Sequence, residues 1–328
     1  MISTKNFYSS YLITMKNKGF QYFRTARLSA WITAAVFFLI GEWYSINSFL
    51  FNHTIFILVS LAGILSSTSW INFVFDKELD TFSGQDVTFF KHISPKEMLL
   101  FSIFLSIISL ILMLYVSIII FFGGLLIFFI GVIYSVPPLR LKIHPPLDSI
   151  ANALNFGSFP FLLGILLKEE KIFSFQIIIF LIISGLIIVI YYLLIDILDL
   201  ETDKKYGIKT SVTILGFKNT INVCFIMYFL TLILSLIYFN ALSIFSFSLI
   251  ICLPFLLILK IKNDDKSMAI ILSSISLIWV ESILLFLFVL SLSIIPITLF
   301  ILVLLSALYF IYVFLTIEQN KKKFGRYK

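Results

Sequence analysis

Charge is scarce in this sequence: Asp, Glu, Lys and Arg together make up 12% of its 328 residues. Histidine is scarcer still, with three copies, and cysteine stops at two. A chain this poor in charge, with 60% hydrophobic residues and a mean hydropathy of +1.09, has too few polar groups to cover its apolar surface in water. A soluble domain is therefore excluded. His53, His92 and His144 fall apart from one another in expected loops, which excludes a histidine metal cluster. Cys224 and Cys252 lie inside apolar runs and read as inert buried thiols, with no disulfide or thiolate metal site. The net charge of +7 raises the question of nucleic acid. The basic residues sit in short loops between apolar runs, however, so the partner they suit is the membrane surface, and no nucleic-acid partner is expected.

What is present in quantity is hydrophobic length. Apolar runs near 20 residues recur along the chain, the mark of an all-α, polytopic membrane bundle. Residues 1–27 form a polar, basic segment with no small-residue cleavage site after a short apolar core, so no cleavable signal is expected. A single transmembrane domain follows over 28–316, and 317–328 form a basic tail suited to anionic head groups. Within the domain, spans are expected at 28–50 and 54–75. The apolar block 98–134 is too long for one crossing and must hold two, with the turn at Val116 and Ser117. Further spans are expected at 148–167, 173–195, 220–239, 242–259, 268–290 and 295–315, ten in all.

Charge gives the orientation. With both ends of the chain on the cytoplasmic side and loops alternating, all 24 Lys and Arg fall on that side except Lys168 and Lys171. That asymmetry is the positive-inside pattern of a multi-pass protein of the cell membrane.

Two acidic stretches stand out against this background. Asn72, Asp76 and Asp80 close one apolar run; Asp196, Asp199 and Asp203 close another. On a helix a step of four advances about 400°, so the first three share one slowly drifting face. The second three occupy a wedge roughly 60° wide. Carboxylates at the mouth of a membrane helix are costly unless they hold cations or each other. Both stretches fall on the cytoplasmic side, and two such faces opposed across a cavity would form a site for a hard divalent ion, Mg²⁺ first. Mg²⁺ prefers a few carboxylates plus phosphate oxygens, so a diphosphate ligand fits. Arg27, Lys91, Arg140, Lys142, Lys204 and Lys205, all on that side, are candidates to carry the remaining phosphate charge, or are ordinary positive-inside residues.

With these motifs in place, the sequence resembles the UbiA superfamily of intramembrane prenyltransferases. The first family motif has the form N-x-x-x-D-x-x-x-D, matched by Asn72, Asp76 and Asp80. The second is similar to D-x-x-D-x-x-x-D-x-x-x-G-x-x-T, matched by Asp196, Asp199, Asp203, Gly207 and Thr210. Between them, Tyr134, Ser135, Pro137, Pro138, Arg140 and Lys142 match the loop Y-S-x-P-P-x-R-x-K. Arg27 stands where the family usually has an arginine, but Leu28 replaces the proline that commonly follows. The resemblance covers about Arg27 to Gly216, and members generally have nine helices where this chain reads as ten.

The resemblance implies a Mg²⁺-dependent enzyme that moves a polyprenyl group from its diphosphate to a lipophilic acceptor. Asp76, Asp80, Asp196 and Asp199 would be catalytic, with Asn72 and Asp203 joining them around the metal. Arg27, Lys91, Tyr134, Arg140 and Lys142 would bind the diphosphate. The stretch Pro146, Leu147, Asp148, Ser149 and Asn152 looks most like the lycopene elongase branch, implying a carotenoid-like acceptor; an aromatic quinone precursor is the alternative. Asp148 also has a plainer reading as a helix cap.

Glu281, alone inside an expected span, either serves the acceptor or its proton, or is a protonated carboxyl bonded between helices. A cation transporter is the rival class, but it would hold its carboxylates near the bilayer midplane. A phosphatidyl transferase would need a D-G-x-x-A-R stretch, which is absent.

Overall fold

The computed structural model describes residues 17–46, 50–82, 87–167 and 174–239. The expected spans beyond 239, together with Cys252, Glu281 and the basic tail, lie outside the described residues, as do Lys168 and Lys171. Among the described residues the secondary structure is helical, with no strand. In chain order the helices are α1 (Lys18–Thr25), α2 (Leu28–Ile46), α3 (Phe51–Phe82), α4 (Pro95–Val116), α5 (Ile118–Ser135), α6 (Leu147–Ala153), α7 (Phe159–Leu166), α8 (Phe175–Asp196), α9 (Leu200–Tyr206) and α10 (Ser211–Phe239). A π-turn, Leu154–Ser158, joins α6 to α7 and makes them one span. Among the described residues six spans are long and apolar enough to cross a membrane, up to seven when the bent pair α1 and α2 is counted as one span.

The turn expected in the long apolar block is at Ser117. Its backbone is extended (φ −166°, ψ 160°), its N–H donates to the Met113 carbonyl, and its hydroxyl accepts from Ile120 N–H at 3.1 Å. One serine thus ends α4 and caps α5. Elsewhere hydropathy misplaces the ends. α3 extends beyond the expected 54–75 at both sides, because Lys77, Glu78 and Thr81 line an exposed face of a helix that continues after the apolar run stops. α10 begins at Ser211 rather than at residue 220, with its break at Gly216 (φ 70°, ψ 169°). His53, expected in a loop, lies in the first turn of α3.

The chain forms two compact units. Among the described residues, the first comprises those up to Arg27 and those within Ile55–Arg140; the second comprises those within Leu28–Thr54 and those from Leu141 to Phe239. In the first, Trp70, Phe89, Ile93 and Met98 form a buried cluster. Trp70 Nε1 donates to Thr25 Oγ1 at 3.1 Å and its ring meets those of Tyr22 and Phe101, which fixes α1 against α3 just before Arg27. α5 approaches α3 closely at Gly131: a Cβ there would lie 2.5 Å from Thr68 Cγ2. Small residues at a crossing let membrane helices meet backbone to backbone. In the second unit α2 and α7 meet the same way, Gly41 against the Phe161 carbonyl and Gly164 against that of Phe38.

Glu42, fully buried inside α2, accepts from Leu50 N–H at 2.9 Å and from Thr54 Oγ1 at 2.5 Å. It caps the start of α3, a structural use of an intramembrane carboxylate.

Candidate active site

In the first unit the N-x-x-x-D-x-x-x-D face is buried: Asn72, Asp76 and Asp80 are 7%, 4% and 9% exposed. Asn72 is bonded on both sides of its amide. Its oxygen accepts from Arg27 Nη2 at 3.0 Å, while its Nδ2 donates to Asp76 Oδ2 at 2.8 Å and to Ser135 Oγ at 2.9 Å. Asp76 Oδ1 accepts in turn from Arg140 Nη2 at 2.9 Å, an ion pair with the arginine side chain 28% exposed. Ser135 reaches Asn72 because it lies one turn beyond the Gly131–Thr68 contact. The Arg27 guanidinium also lies over the Phe73 ring, 5.1 Å from its centroid. Tyr134 is half-buried at the end of α5, and Lys91 is exposed at the end of the 3₁₀ turn Thr88–Lys91.

Both arginines hold an unusual backbone. Arg27 has φ 48° and Arg140 φ 36°, and among the described residues no other non-glycine has positive φ. Each such residue costs of order 1–3 kcal/mol, held by its surroundings. Arg27 fills the short break between α1 and α2. Arg140 follows the Pro137–Pro138 pair that ends α5, its N–H donating to the Val136 carbonyl at 3.1 Å. Arg140 Nε is buried and has no hydrogen-bond partner. A guanidinium N–H left unmatched beside a carboxylate is a donor waiting for an anionic oxygen.

In the second unit the D-x-x-D-x-x-x-D stretch is not one continuous α-helix. α8 ends at Asp196, a 3₁₀ turn takes Ile197–Asp199, and Asp203 lies on the separate short helix α9. In a 3₁₀ turn residues three apart lie one above the other, so Asp196 and Asp199 keep a common side across the change of helix type. All three are half-buried. Gly207 ends α9 in the left-handed conformation (φ 69°), its neighbour Ile208 N–H donating to the Asp203 carbonyl at 2.9 Å. That explains the glycine of the motif. Thr210 then caps α10: Thr213 N–H donates to its hydroxyl at 3.2 Å, and its own N–H donates to Thr213 Oγ1 at 2.7 Å.

Burial and the charge of Asp199 push the Asp203 carboxyl up to about 6, against the opposing pull of Lys142. Lys142, on the 3₁₀ turn Leu141–Ile143, is therefore brought near the second motif.

Among the described residues no three His, Cys, Asp or Glu side chains are gathered into a metal cage. A closed Zn²⁺ site of Cys and His does not fit these carboxylate and amide oxygens. Mg²⁺ does, since it keeps waters and takes one or two carboxylates together with phosphate oxygens. Burial raises Asp203 most and repulsion from Asp199 adds to it, and that repulsion is what a cation would relieve. The unmatched Arg140 N–H suits the phosphate oxygens that would accompany it.

The model of the UbiA prenyltransferase family matches residues 29–269. The chain belongs to this family. Its fold is that of solved UbiA structures. A UbiA homolog from Archaeoglobus fulgidus bound to GPP and Mg²⁺ is 23% identical, with 91% of this chain and 99% of that one covered at a TM-score of 0.59. A digeranylgeranylglyceryl phosphate synthase is 20% identical over 82% and 97% of the two chains, TM-score 0.62. A UbiA homolog from Aeropyrum pernix K1 is 15% identical over 79% and 98%, also with TM-score 0.62. No curated protein matches the chain at a significant level.

The structure brings forward three residues of this UbiA protein: Glu42, which the sequence reading leaves unnamed, and Ser135 and Asp148, which it names without their partners. Ser135 accepts from Asn72 Nδ2, a partner 63 positions away that its place in the motif does not indicate. Glu42 was hidden in an apolar run, and its isolation there was the available signal. Asp148 is 2% exposed and binds another helix, although its position in the first turn of α6 suggested a cap for its own.

Proposed function

We propose that this UbiA protein is an intramembrane prenyltransferase that moves a polyprenyl group from its diphosphate to a lipophilic acceptor with the help of Mg²⁺. The observation that carries the proposal is the hydrogen-bonded chain Arg27–Asn72–Asp76–Arg140, with an unmatched arginine N–H at its end. It combines oxygen donors for a metal with guanidinium donors for phosphate. The Archaeoglobus fulgidus homologue, bound to GPP or DMAPP with Mg²⁺, supports a prenyl diphosphate as the donor.

Asp76, Asp80, Asp196 and Asp199 are assigned to the metal, with Asn72 and Asp203 beside them. Mg²⁺, when bound, supplies the positive charge that stabilises the departing diphosphate. Arg140 donates its Nε–H to a phosphate oxygen and turns its second N–H from Asp76 to the substrate. Arg27 keeps Asn72 oriented and adds positive charge at the same place. Tyr134, Lys91 and Lys142 complete the diphosphate contacts. Membrane position follows from the charge pattern, with these residues on the cytoplasmic face of the cell membrane.

The acceptor is a polyene of the carotenoid kind, a reading supported by the likeness of Pro146–Asn152 to lycopene elongases. Asp148 of that stretch is engaged within the fold, so it contributes no contact to an acceptor. Purified protein with Mg²⁺ and labelled prenyl diphosphates should prenylate lycopene in preference to 4-hydroxybenzoate, homogentisate or a dihydroxynaphthoate. Transfer to a phenolic acid with none to a polyene overturns the acceptor and leaves prenyl transfer standing. No transfer to any acceptor, with the diphosphate left intact, overturns the enzyme reading.

A further inference from the structure

We infer that Asp148 is a positioning residue for the second acidic motif, acting through Ser211. The inference rests on reading that motif as metal-holding. Asp148 accepts from Ser211 N–H at 2.6 Å through Oδ2 and from Ser211 Oγ at 2.5 Å through Oδ1. It is 2% exposed and Ser211 8%, so both bonds are sheltered from water. Ser211 opens α10, and its N–H is among those a helix leaves without an internal partner. A carboxylate there satisfies that donor and suits the positive end of the helix.

The consequence reaches the acidic residues through α9. That helix has seven residues, too few to hold its own shape, and Leu200 is its one buried side chain. Packing therefore does little to orient Asp203. Its position is set by its two ends: the 3₁₀ turn Ile197–Asp199 on one side, and Gly207 to Ser211 on the other. The second end is fixed by a short relay. Asp148 holds Ser211, Thr210 and Thr213 cap each other, and the left-handed Gly207 transmits that anchor to the Asp203 carbonyl through Ile208 N–H. Without the clasp, α9 keeps its sequence and loses its bearing. Asp148 itself, with both oxygens occupied, touches neither metal nor substrate.

The test reads metal binding directly. Mn²⁺ is titrated against purified protein carrying Asp76→Asn and Asp80→Asn, so that the paramagnetic resonance signal of free Mn²⁺ reports on the second motif. Onto this background are placed Asp148→Ala, Asp148→Asn, Ser211→Ala and Asp199→Asn. Asp148→Ala should weaken Mn²⁺ binding by about tenfold or more, the usual effect of losing a group that orients a ligand. Asp148→Asn should recover most of it, because its amide oxygen still accepts from Ser211 N–H and the hydroxyl turns to accept from its NH₂. Ser211→Ala should lie between, with a melting temperature close to that of the background protein. If Asp199→Asn weakens Mn²⁺ while Asp148→Ala and Ser211→Ala bind as the background does, Asp148 is a structural residue alone and the inference falls. If Asp199→Asn binds unchanged, the metal reading of the second motif falls and takes the inference with it. Should Asp148→Ala fail to fold, Ser211→Ala and Asp148→Asn decide by the same criteria.

Discussion

Removing either partner of the Arg140–Asp76 pair should destabilise the metal-free protein by different amounts. Asp76 is 4% exposed, whereas the Arg140 side chain is 28% exposed and can turn toward water. Arg140→Met removes the ion-pair partner of a buried carboxylate that keeps its bond from Asn72 Nδ2. Breaking a fully buried pair costs about 3–5 kcal/mol. With that bond retained and one partner partly solvated, the cost here should be about 2–3 kcal/mol, a drop of roughly 5–10 °C in melting temperature. Asp76→Asn leaves the arginine free to find water and should cost about 1 kcal/mol, the scale of one hydrogen bond.

Mg²⁺ should then separate the two further. It compensates the Asp76 charge in Arg140→Met and shrinks that deficit, but it cannot rescue Asp76→Asn, which has lost a ligand. The assay is thermal unfolding of each variant in detergent, in chelator and at saturating Mg²⁺. Equal losses in chelator, or an Arg140→Met deficit unmoved by Mg²⁺, would refute the reasoning.

Other outcomes follow from the same geometry. Gly207→Ala meets no atom within 4 Å but forces a side chain into φ 69°, so it should cost about 1–2 kcal/mol of stability, and Gly207→Asn less. Asp203 titrates at about 6 where an unfolded chain titrates near 4, so the folded metal-free protein holds this proton the more tightly. Its stability should therefore fall as pH rises from about 4 to about 6, and half-saturating Mg²⁺ should rise as pH drops below about 6; Asp203→Asn should flatten both curves. Single cysteines at Lys91 and Lys205 in sealed vesicles should label from the cytoplasmic side and one at Glu169 from the other. Labelling of 91 and 169 from one side would sink the topology.

What could be read in advance was whatever depends on local spacing. The turn at Ser117 was legible because the apolar block was too long for one crossing. The Asn72–Asp76–Asp80 face was legible because four-residue steps on an uninterrupted helix stay aligned. In the second motif the change from α-helix to a 3₁₀ turn between Asp196 and Leu200 was not legible, because no hydropathy pattern announces it. Helix ends were misplaced at α3 and α10 because hydropathy reports where lipid stops, and helices run on past it. The partners of Arg27 and Arg140 lay 45 and 64 positions away, beyond any local rule. Motif likeness supplied the residues there, and the structure supplied who binds whom. Asp148 shows the limit most clearly. Its place at a helix start was legible, but its partner, 63 positions on, was not.

The most direct test is turnover of Asp76→Asn and Asp196→Asn with a labelled prenyl diphosphate, an accepted acceptor and saturating Mg²⁺, beside a melting curve for each. Each substitution keeps size and removes one charge that the proposed mechanism assigns to holding the metal against the departing diphosphate. A barrier raised by more than about 2.7 kcal/mol corresponds to at least a hundredfold loss of rate. The account predicts that loss in both variants, each still folded. Both folded and both near the wild-type rate would contradict the assignment of the acidic motifs to the reaction.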